Sequence, residues 1–485
     1  MFYKRTRSRN QFSARELFTC SLRKEEEIND KMKKTTLLFG LLWVTLLSAQ
    51  EIPENAKEVI KSFYTEALGE QQGYQWLQHL CIEIGPRPSG SEAANEAAKW
   101  AQVEMLQAGA DTVWLQPVEV PKWHRGDEWS KVTSKGVTTV LPTTALGGSI
   151  PTPLDGITAE VVEVDSFEQL EKLGRAGIEG KIVFYNTYMD HTRISTFNAY
   201  GGAVKYRWAG AMEAVKHGAV ATVMRSVTLL RDDLPHTGAM SYGDSEHKIP
   251  TAAISWQAAD KLSETIRQDP AAKIHIYLDC GVQGTAINYN VIADFNGSVK
   301  PDEIMLVGGH IDSWDLGQGA QDDGAGCVHA MQVPSLMRQV GYQNKRTIRV
   351  VLWANEEFGL DGAKEYARWA REQEVHHWVA MESDGGGDVP RGFGIGASDD
   401  RVKMVRGFKE VLSPYGIHVL AKGGGGADLG PLRGHDDFFI GFRPESQRYF
   451  DFHHSARDNI DAIHPRSLEM GAASMTALYY LLDNN

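Results

Sequence analysis

Cysteine is scarce. The 485-residue chain has four, Cys20, Cys81, Cys280 and Cys327, and none stands in CxxC spacing. That excludes a thiolate-bound structural zinc cluster, and once a leader is set aside at most one disulfide can form. Long apolar runs are lacking too: outside the N-terminus no tract approaches the ~20 residues that a membrane span needs. Positive charge is in deficit, with 50 Lys and Arg against 63 Asp and Glu and a net charge of −13. Residues 1–49 hold ten of the basic side chains and only five acids, which leaves −18 on the remainder. Such a surface lacks the basic footprint that a phosphate backbone requires, so nucleic acid is excluded as a partner.

The one strongly apolar stretch is short and has a leader's layout. Met32-Lys33-Lys34 is followed by an apolar run from Leu37 to Leu47 and then by Ser48-Ala49-Gln50. A basic start, a short apolar segment and small residues at its end form a secretory signal peptide, so residues 32–49 are expected to direct export to the periplasm or the medium. Residues 1–31 then read as a non-native extension upstream of the true start at Met32. With no cysteine after the apolar segment, a lipid anchor is not expected, and the mature form has no membrane span.

The chemistry is concentrated in residues 308–326, GGHIDSWDLGQGAQDDGAG. This stretch follows an apolar strand-like run, 304–307, and precedes a helical pattern over 325–340 that Pro334 should bend. His310, Asp312, Asp315, Asp322 and Asp323 lie there among glycines, with Trp314 as the only bulky aromatic. A loop at the C-terminal end of a strand is where open α/β sheets bind ligands. Imidazole beside carboxylate favours a divalent metal, zinc first. The alternative is a polar turn with solvated acids.

Upstream, the pattern predicts helices within 53–82 and over 92–106, the second capped by Ser91, with the turn-rich GPRPSG at 85–90 between them and a strand over 113–120 after them. From 123 to 287 short β-like runs dominate (137–141, 160–164, 181–185, 220–224, 252–254, 273–278), with helices only near 166–173 and 207–217. That stretch reads as a mostly β domain inserted into a catalytic domain made of 50–122 and 288–485; the alternative is one large sheet. Beyond 287, strands at 288–295, 304–309, 347–353, 378–381, 392–396, 417–420 and 438–441 alternate with helices at 325–340, 362–372, 400–412 and 465–482. The alternation predicts an α/β fold, a mixed, mostly parallel sheet flanked by helices.

Three further strand ends carry acids or histidines: Asn355-Glu356-Glu357, Glu382-Ser383-Asp384, and Phe452-His453-His454-Ser455 with Asp458 close behind. Each is weak alone, but together they would converge on one rim of the sheet. Five N/O ligands exceed one tetrahedral zinc and suit two zinc ions sharing a carboxylate and holding a bridging water or hydroxide. A carboxylate free of metal could take that water's proton and pass it to a leaving amine. The adjacent Glu356 and Glu357 suit a division into base and ligand.

The blocks HIDSWD, QDDGAG, ANEEFGLDGA, MESDGG and FHHSARDN resemble the ligand blocks of the co-catalytic di-zinc exopeptidases, which include bacterial leucyl aminopeptidases and glutamate carboxypeptidases. LGGSIPTPLDGITAEVV, GKIVFYN, PHTG and KIPTAAIS are most similar to its carboxypeptidase Q (plasma glutamate carboxypeptidase) branch, and the likeness covers nearly all of 53–485. The resemblance implies that His310 and Asp384 hold one zinc, that Glu357 and His454 hold the other, and that Asp322 bridges them with Glu356 as general acid/base. His454 is preferred to His453 because Ser455 and Asp458 follow it at the family's spacing. It further implies a cis Asp322–Asp323 bond, Asp312 orienting His310, a protease-associated domain at 123–287, a preference for dipeptides or short peptides, and a homodimer. His453 stands where some relatives have an oxyanion-stabilising tyrosine; it is either such a donor or a packed, inert ring. His236 of PHTG is either part of a lid or a turn residue. Gly423–Gly426 either admits a substrate or is a loose loop. Other readings are an aminopeptidase on longer peptides, a one-zinc glutaminyl cyclase, which would lack the insert, and a receptor-like binding module, which would have lost ligands.

Overall fold

The computed structural model describes residues 52–485. The leader at 32–49, the extension at 1–31 and Cys20 lie outside the described residues. Seven strands fall in the first half of the chain: β1 (Thr112–Ser134), β2 (Val137–Leu141), β3 (Thr143–Ala145), β4 (Ile157–Val164), β5 (Ile182–Tyr185), β6 (Ala221–Arg225) and β7 (Thr251–Ile254). Seven follow: β8 (Lys273–Phe295), β9 (Lys300–His310), β10 (Arg346–Trp353), β11 (His377–Glu382), β12 (Pro390–Gly396), β13 (Val419–Lys422) and β14 (Phe439–Pro444).

β10, β9, β11 and β14 lie side by side and parallel. Antiparallel β8 flanks β10, and antiparallel β12 flanks β14 with β13 outside it. The chain places β10 on one side of β9 and β11 on the other, so the order reverses at β9. Loops leaving the C-terminal ends of strands diverge at such a point and open a crevice, the usual ligand position in α/β sheets.

The apolar runs of these strands feed both faces, because successive side chains point to opposite sides. Met305 and Val307 of β9, with Ile348, Val350 and Leu352 of β10, enter a core covered by the helices Ala56–Glu70, Ala325–Gln339 and Pro465–Asp483. Leu306, Val351 and Trp353 enter a second core under the helix Asp361–Glu372. Ala325–Gln339 continues through Pro334. Ser91 Oγ caps Glu92–Gln107 by accepting from the Ala94 N–H at 3.1 Å, as its position predicts. The fold is the α/β sheet with flanking helices that the alternation indicates.

The 23-residue strands β1 and β8 form one antiparallel ribbon, from Thr112 opposite Asp294 to Thr133 opposite Lys273. Its near end pairs with β10, and its far end pairs with β4. Strands β4 to β7 are parallel to one another, and β3 closes the edge, so backbone pairing runs unbroken through all 14 strands. The stretch 123–287 nevertheless buries its own side chains in two cores separate from those of β9 and β10. It is α/β rather than mostly β. Helices Phe167–Ile178, Thr196–Val215 and Trp256–Gln268 alternate with its parallel strands, and the third was absent from the pattern-based expectation. Cys81, Cys280 and Cys327 are free, buried thiols. No helix among the described residues is long and apolar enough to cross a membrane.

Candidate metal centre

His310 ends β9, Glu356 and Glu357 follow β10, and Asp384 follows β11, so three loops deliver them to one rim of the sheet. Asp322, buried in the turn before Ala325–Gln339, stands at the middle. Its Oδ1 lies 3.2 Å from His310 Nε2, and its Oδ2 lies 3.2 Å from His454 Nε2. His310 Nε2 is also 3.7 Å from Asp384 Oδ1, and His454 Nε2 is 3.2 Å from Glu357 Oε2. Two groups therefore share one carboxylate, the layout of a bridged di-metal site. The Asp322–Asp323 peptide bond is cis.

Burial alone would strip His310 of its proton, but the Asp322 and Asp384 carboxylates hold its pKa well above the imidazole range. His454 is pushed up to about 9, because Glu357 and Asp322 outweigh its burial. Asp322 is held well below the usual carboxylate range by the two imidazoles, against the effect of burial. Glu356 is driven well above its ordinary value by burial and by the charges of Asp384, Glu357 and Asp322. Protons here stand where divalent cations would be favoured. Glu357 Oε1 is buried without a hydrogen-bond partner, and two imidazoles with several carboxylates are a donor set suited to zinc.

The surrounding polar groups fix these side chains. His310 Nδ1 lies 3.1 Å from the Asp312 carbonyl oxygen, so the main chain of Asp312 orients the ring. The Asp312 carboxylate is 3.8 Å from that nitrogen and instead accepts the Glu356 and Glu357 N–H groups at 3.0 and 3.3 Å. Asp458 accepts the N–H groups of Gln321 and Asp322 at 2.6 and 3.1 Å and so holds the central turn. Asp323 accepts the His310 and Gly326 N–H groups. Asp315 pairs with Arg125 at 2.7 Å, away from the cluster.

His453 stacks on His454 with ring centroids 3.5 Å apart, and its Nε2 is 3.7 Å from Asp322 Oδ2. Burial and the neighbouring His454 keep it neutral, its pKa well below the imidazole range. Of the carboxylates it faces Asp322 alone, whereas His454 reaches both Asp322 and Glu357. His236 is buried. Its ring faces the His453 carbonyl oxygen at 2.7 Å, and the Thr237 N–H donates to the His454 carbonyl at 2.9 Å, so PHTG braces the histidine segment from behind. The 423–426 glycines do not line the opening. A Cβ on Gly426 would fall 1.8 Å from Glu382 Cδ, so Gly426 packs on Glu382, whereas Gly423 has open space around it.

A cavity of about 460 Å³ opens over Asp322, Glu356, Glu357 and Asp384. The helix Thr196–Val215 of the 123–287 stretch forms one wall with Phe197, Tyr200, Arg207 and Trp208, packed against the rings of Tyr449 and Phe450. Several of these contributions escape a reading of the sequence. Arg87, fully buried, donates to the carbonyls of Ile311, Gln318, Gly319 and Gly85 and ties the loop together. The only available signal was an arginine clamped between Pro86 and Pro88. Trp314 donates through Nε1 to Glu357 Oε2 at 2.5 Å. Arg207 and Tyr200 sit in the helix Thr196–Val215, whose sequence has no motif that marks either residue.

With this geometry in view, comparison with known proteins is decisive. The sequence pattern of Peptidase family M28 matches residues 290–479. Carboxypeptidase Q of Bos taurus is 34% identical over 435 residues, covering 88% of each chain. This chain belongs to peptidase family M28. A solved structure, a peptidase M28 precursor from Shewanella amazonensis SB2B, superposes with a TM-score of 0.84 at 34% identity, over 89% of this chain and 97% of that one. A zinc aminopeptidase from Bacillus subtilis shares the fold, with a TM-score of 0.61 at 20% identity over 84% of this chain and 94% of that one. Family membership and the clustered imidazoles and carboxylates make the protein a zinc metallopeptidase of the exopeptidase kind.

Proposed function

We propose that the protein is an exported exopeptidase that cleaves dipeptides and other short peptides with two zinc ions. His310 and Asp384 would hold one ion, His454 and Glu357 the other, and Asp322 would bridge them. When bound, such a pair lowers the pKa of water from 15.7 to about 7 and polarises a peptide carbonyl. Glu356 holds no ligand position and lines the cavity, so its carboxylate accepts the proton of the attacking water and returns it to the departing amine. His454 turns Nε2 toward Asp322 and Glu357, so that nitrogen would hold the ion, while Nδ1 lies beside the Thr237 carbonyl at 3.4 Å and Arg207 Nη1 at 3.3 Å.

The observation that carries the short-peptide reading is the wall opposite the carboxylates. Arg207 is buried, lines the cavity, and has an Nε with no partner, while its Nη2 donates to Tyr200 OH at 2.7 Å. A buried guanidinium facing a carboxylate-lined centre is suited to a peptide's terminal carboxylate. The helix that carries it blocks extension of the cleft on that side. This supports reading 123–287 as a protease-associated-type insert in a catalytic domain made of 50–122 and 288–485. Export rests on the leader at 32–49.

A dipeptide panel on the zinc-loaded enzyme tests the proposal. Substrates with both termini free should be cleaved fastest, and amidation of the C-terminus should raise KM. Equal rates on C-terminally amidated substrates would make it an aminopeptidase and remove the role given to Arg207.

A further inference from the structure

Three side chains meet on the far side of the sheet. His376 immediately precedes β11, and His435 and Asp436 precede β14. Because β11 and β14 are parallel neighbours, both loops lie at the N-terminal ends of the strands, opposite the Asp322 centre. The imidazoles of His376 and His435 stack with centroids 4.1 Å apart and planes 17° apart. His376 Nδ1 is 3.4 Å from Asp436 Oδ1. One potential ligand atom from each of the three residues lies within 4.8 Å of the other two.

The neighbouring groups separate this cluster from a chance gathering of polar side chains. His435 Nε2 lies 2.7 Å from the Val375 carbonyl oxygen. A carbonyl can only accept, so Nε2 carries the proton and Nδ1 keeps a lone pair. An imidazole that gives its other N–H to a main-chain carbonyl is the usual support of a metal-bound histidine. Asp436 is held in the same way: its Oδ2 lies 2.7 Å from His377 Nδ1, and His377 Nε2 lies 2.9 Å from Tyr366 OH. The His377 main-chain N–H also donates to Asp436 Oδ1 at 3.0 Å. Two ligands are thus oriented from behind, while the His376 side chain is 65% exposed and free to swing its ring onto an ion. Calcium and magnesium prefer sets made wholly of oxygen, whereas two nitrogens and one carboxylate oxygen suit zinc, with water completing a tetrahedron.

We propose that His376, His435 and Asp436 form a second, non-catalytic zinc site that clamps the loops leading into β11 and β14. It is separate from the Asp322 centre and does not depend on the reaction assigned to that centre.

Bound zinc is counted by elemental mass spectrometry after dialysis of wild type, His376→Ala and His435→Ala against buffer with micromolar free zinc. Each variant should retain one zinc fewer per chain than wild type. Occupancy of the Asp322 centre cancels in that difference, so the result stands whether or not the protein hydrolyses peptides. Equal zinc in wild type and His376→Ala would overturn the proposal; the exposure of His376 removes misfolding as an explanation. A deficit in His376→Ala accompanied by loss of the Asp322-centre zinc, read as a fall of more than one ion, would also overturn it.

Discussion

In the proposed short-peptide reading, Arg207 is the residue on which substrate choice turns. Its Nη1 lies 3.3 Å from His454 Nδ1, and its Nε faces no protein acceptor. A hydrogen bond to a charged group contributes about 1.5–3 kcal/mol. Arg207→Ala should therefore raise KM for free dipeptides by roughly 10–100-fold, with a smaller change in kcat and little change for C-terminally amidated substrates. Steady-state kinetics on paired free and amidated substrates reads this directly. The imidazoles and carboxylates that cluster around Asp322 were legible because acids and imidazoles just past apolar runs are rare and chemically specific. The residues that hold them were not. Arg87 reaches four carbonyls and Trp314 reaches Glu357 only after distant segments have folded together, and nothing local in GPRPSG or HIDSWD announces those partners. Asp312 shows the same limit in reverse: its place beside His310 was legible, but its carboxylate holds the Glu356 and Glu357 backbone.

Among elements, the contact between the 123–287 stretch and the loop after β9 is the tightest to test. A Cβ on Gly147 would stand 1.9 Å from Trp314 Cη2, and that indole holds Glu357. Gly147→Ala must push the indole aside, at a cost of about 1–3 kcal/mol for overpacking. The melting temperature should fall and zinc should bind more weakly, as followed by thermal melts and a zinc titration; unchanged zinc affinity would mean that Trp314 does not position Glu357. Apolar runs made β2, β4 to β7 and β9 to β14 legible. The β1–β8 ribbon was read as shorter pieces, because its middle crosses solvent with the exposed Val282 and a chain break in pattern at Gly281 and Gly284. The helix Trp256–Gln268 was missed although its buried stripe, Ala258, Ala259, Leu262 and Ser263 behind Trp256, has helical spacing.

At the level of the whole molecule, one buried acid outside the centre sets a pH dependence of stability. Glu469 accepts the Tyr74 N–H and the Gln332 side-chain amide, and burial pushes its carboxyl from 4.5 up to about 7. The folded state keeps that proton after the unfolded chain has lost it, so this contribution is full below about pH 4.5 and is lost as pH rises to about 7. The loss is on the order of 3 kcal/mol. Glu469→Gln should flatten stability over that window in urea melts of the zinc-loaded enzyme, and an unaltered slope would assign the dependence elsewhere.

The central claim, a zinc exopeptidase with Glu356 moving the proton, is tested most directly by measuring kcat on a free dipeptide for Glu356→Gln and wild type at matched zinc content. Removing a general acid/base costs about 10²–10⁴-fold. The account predicts a fall in that range with bound zinc unchanged, and full activity in Glu356→Gln would contradict it.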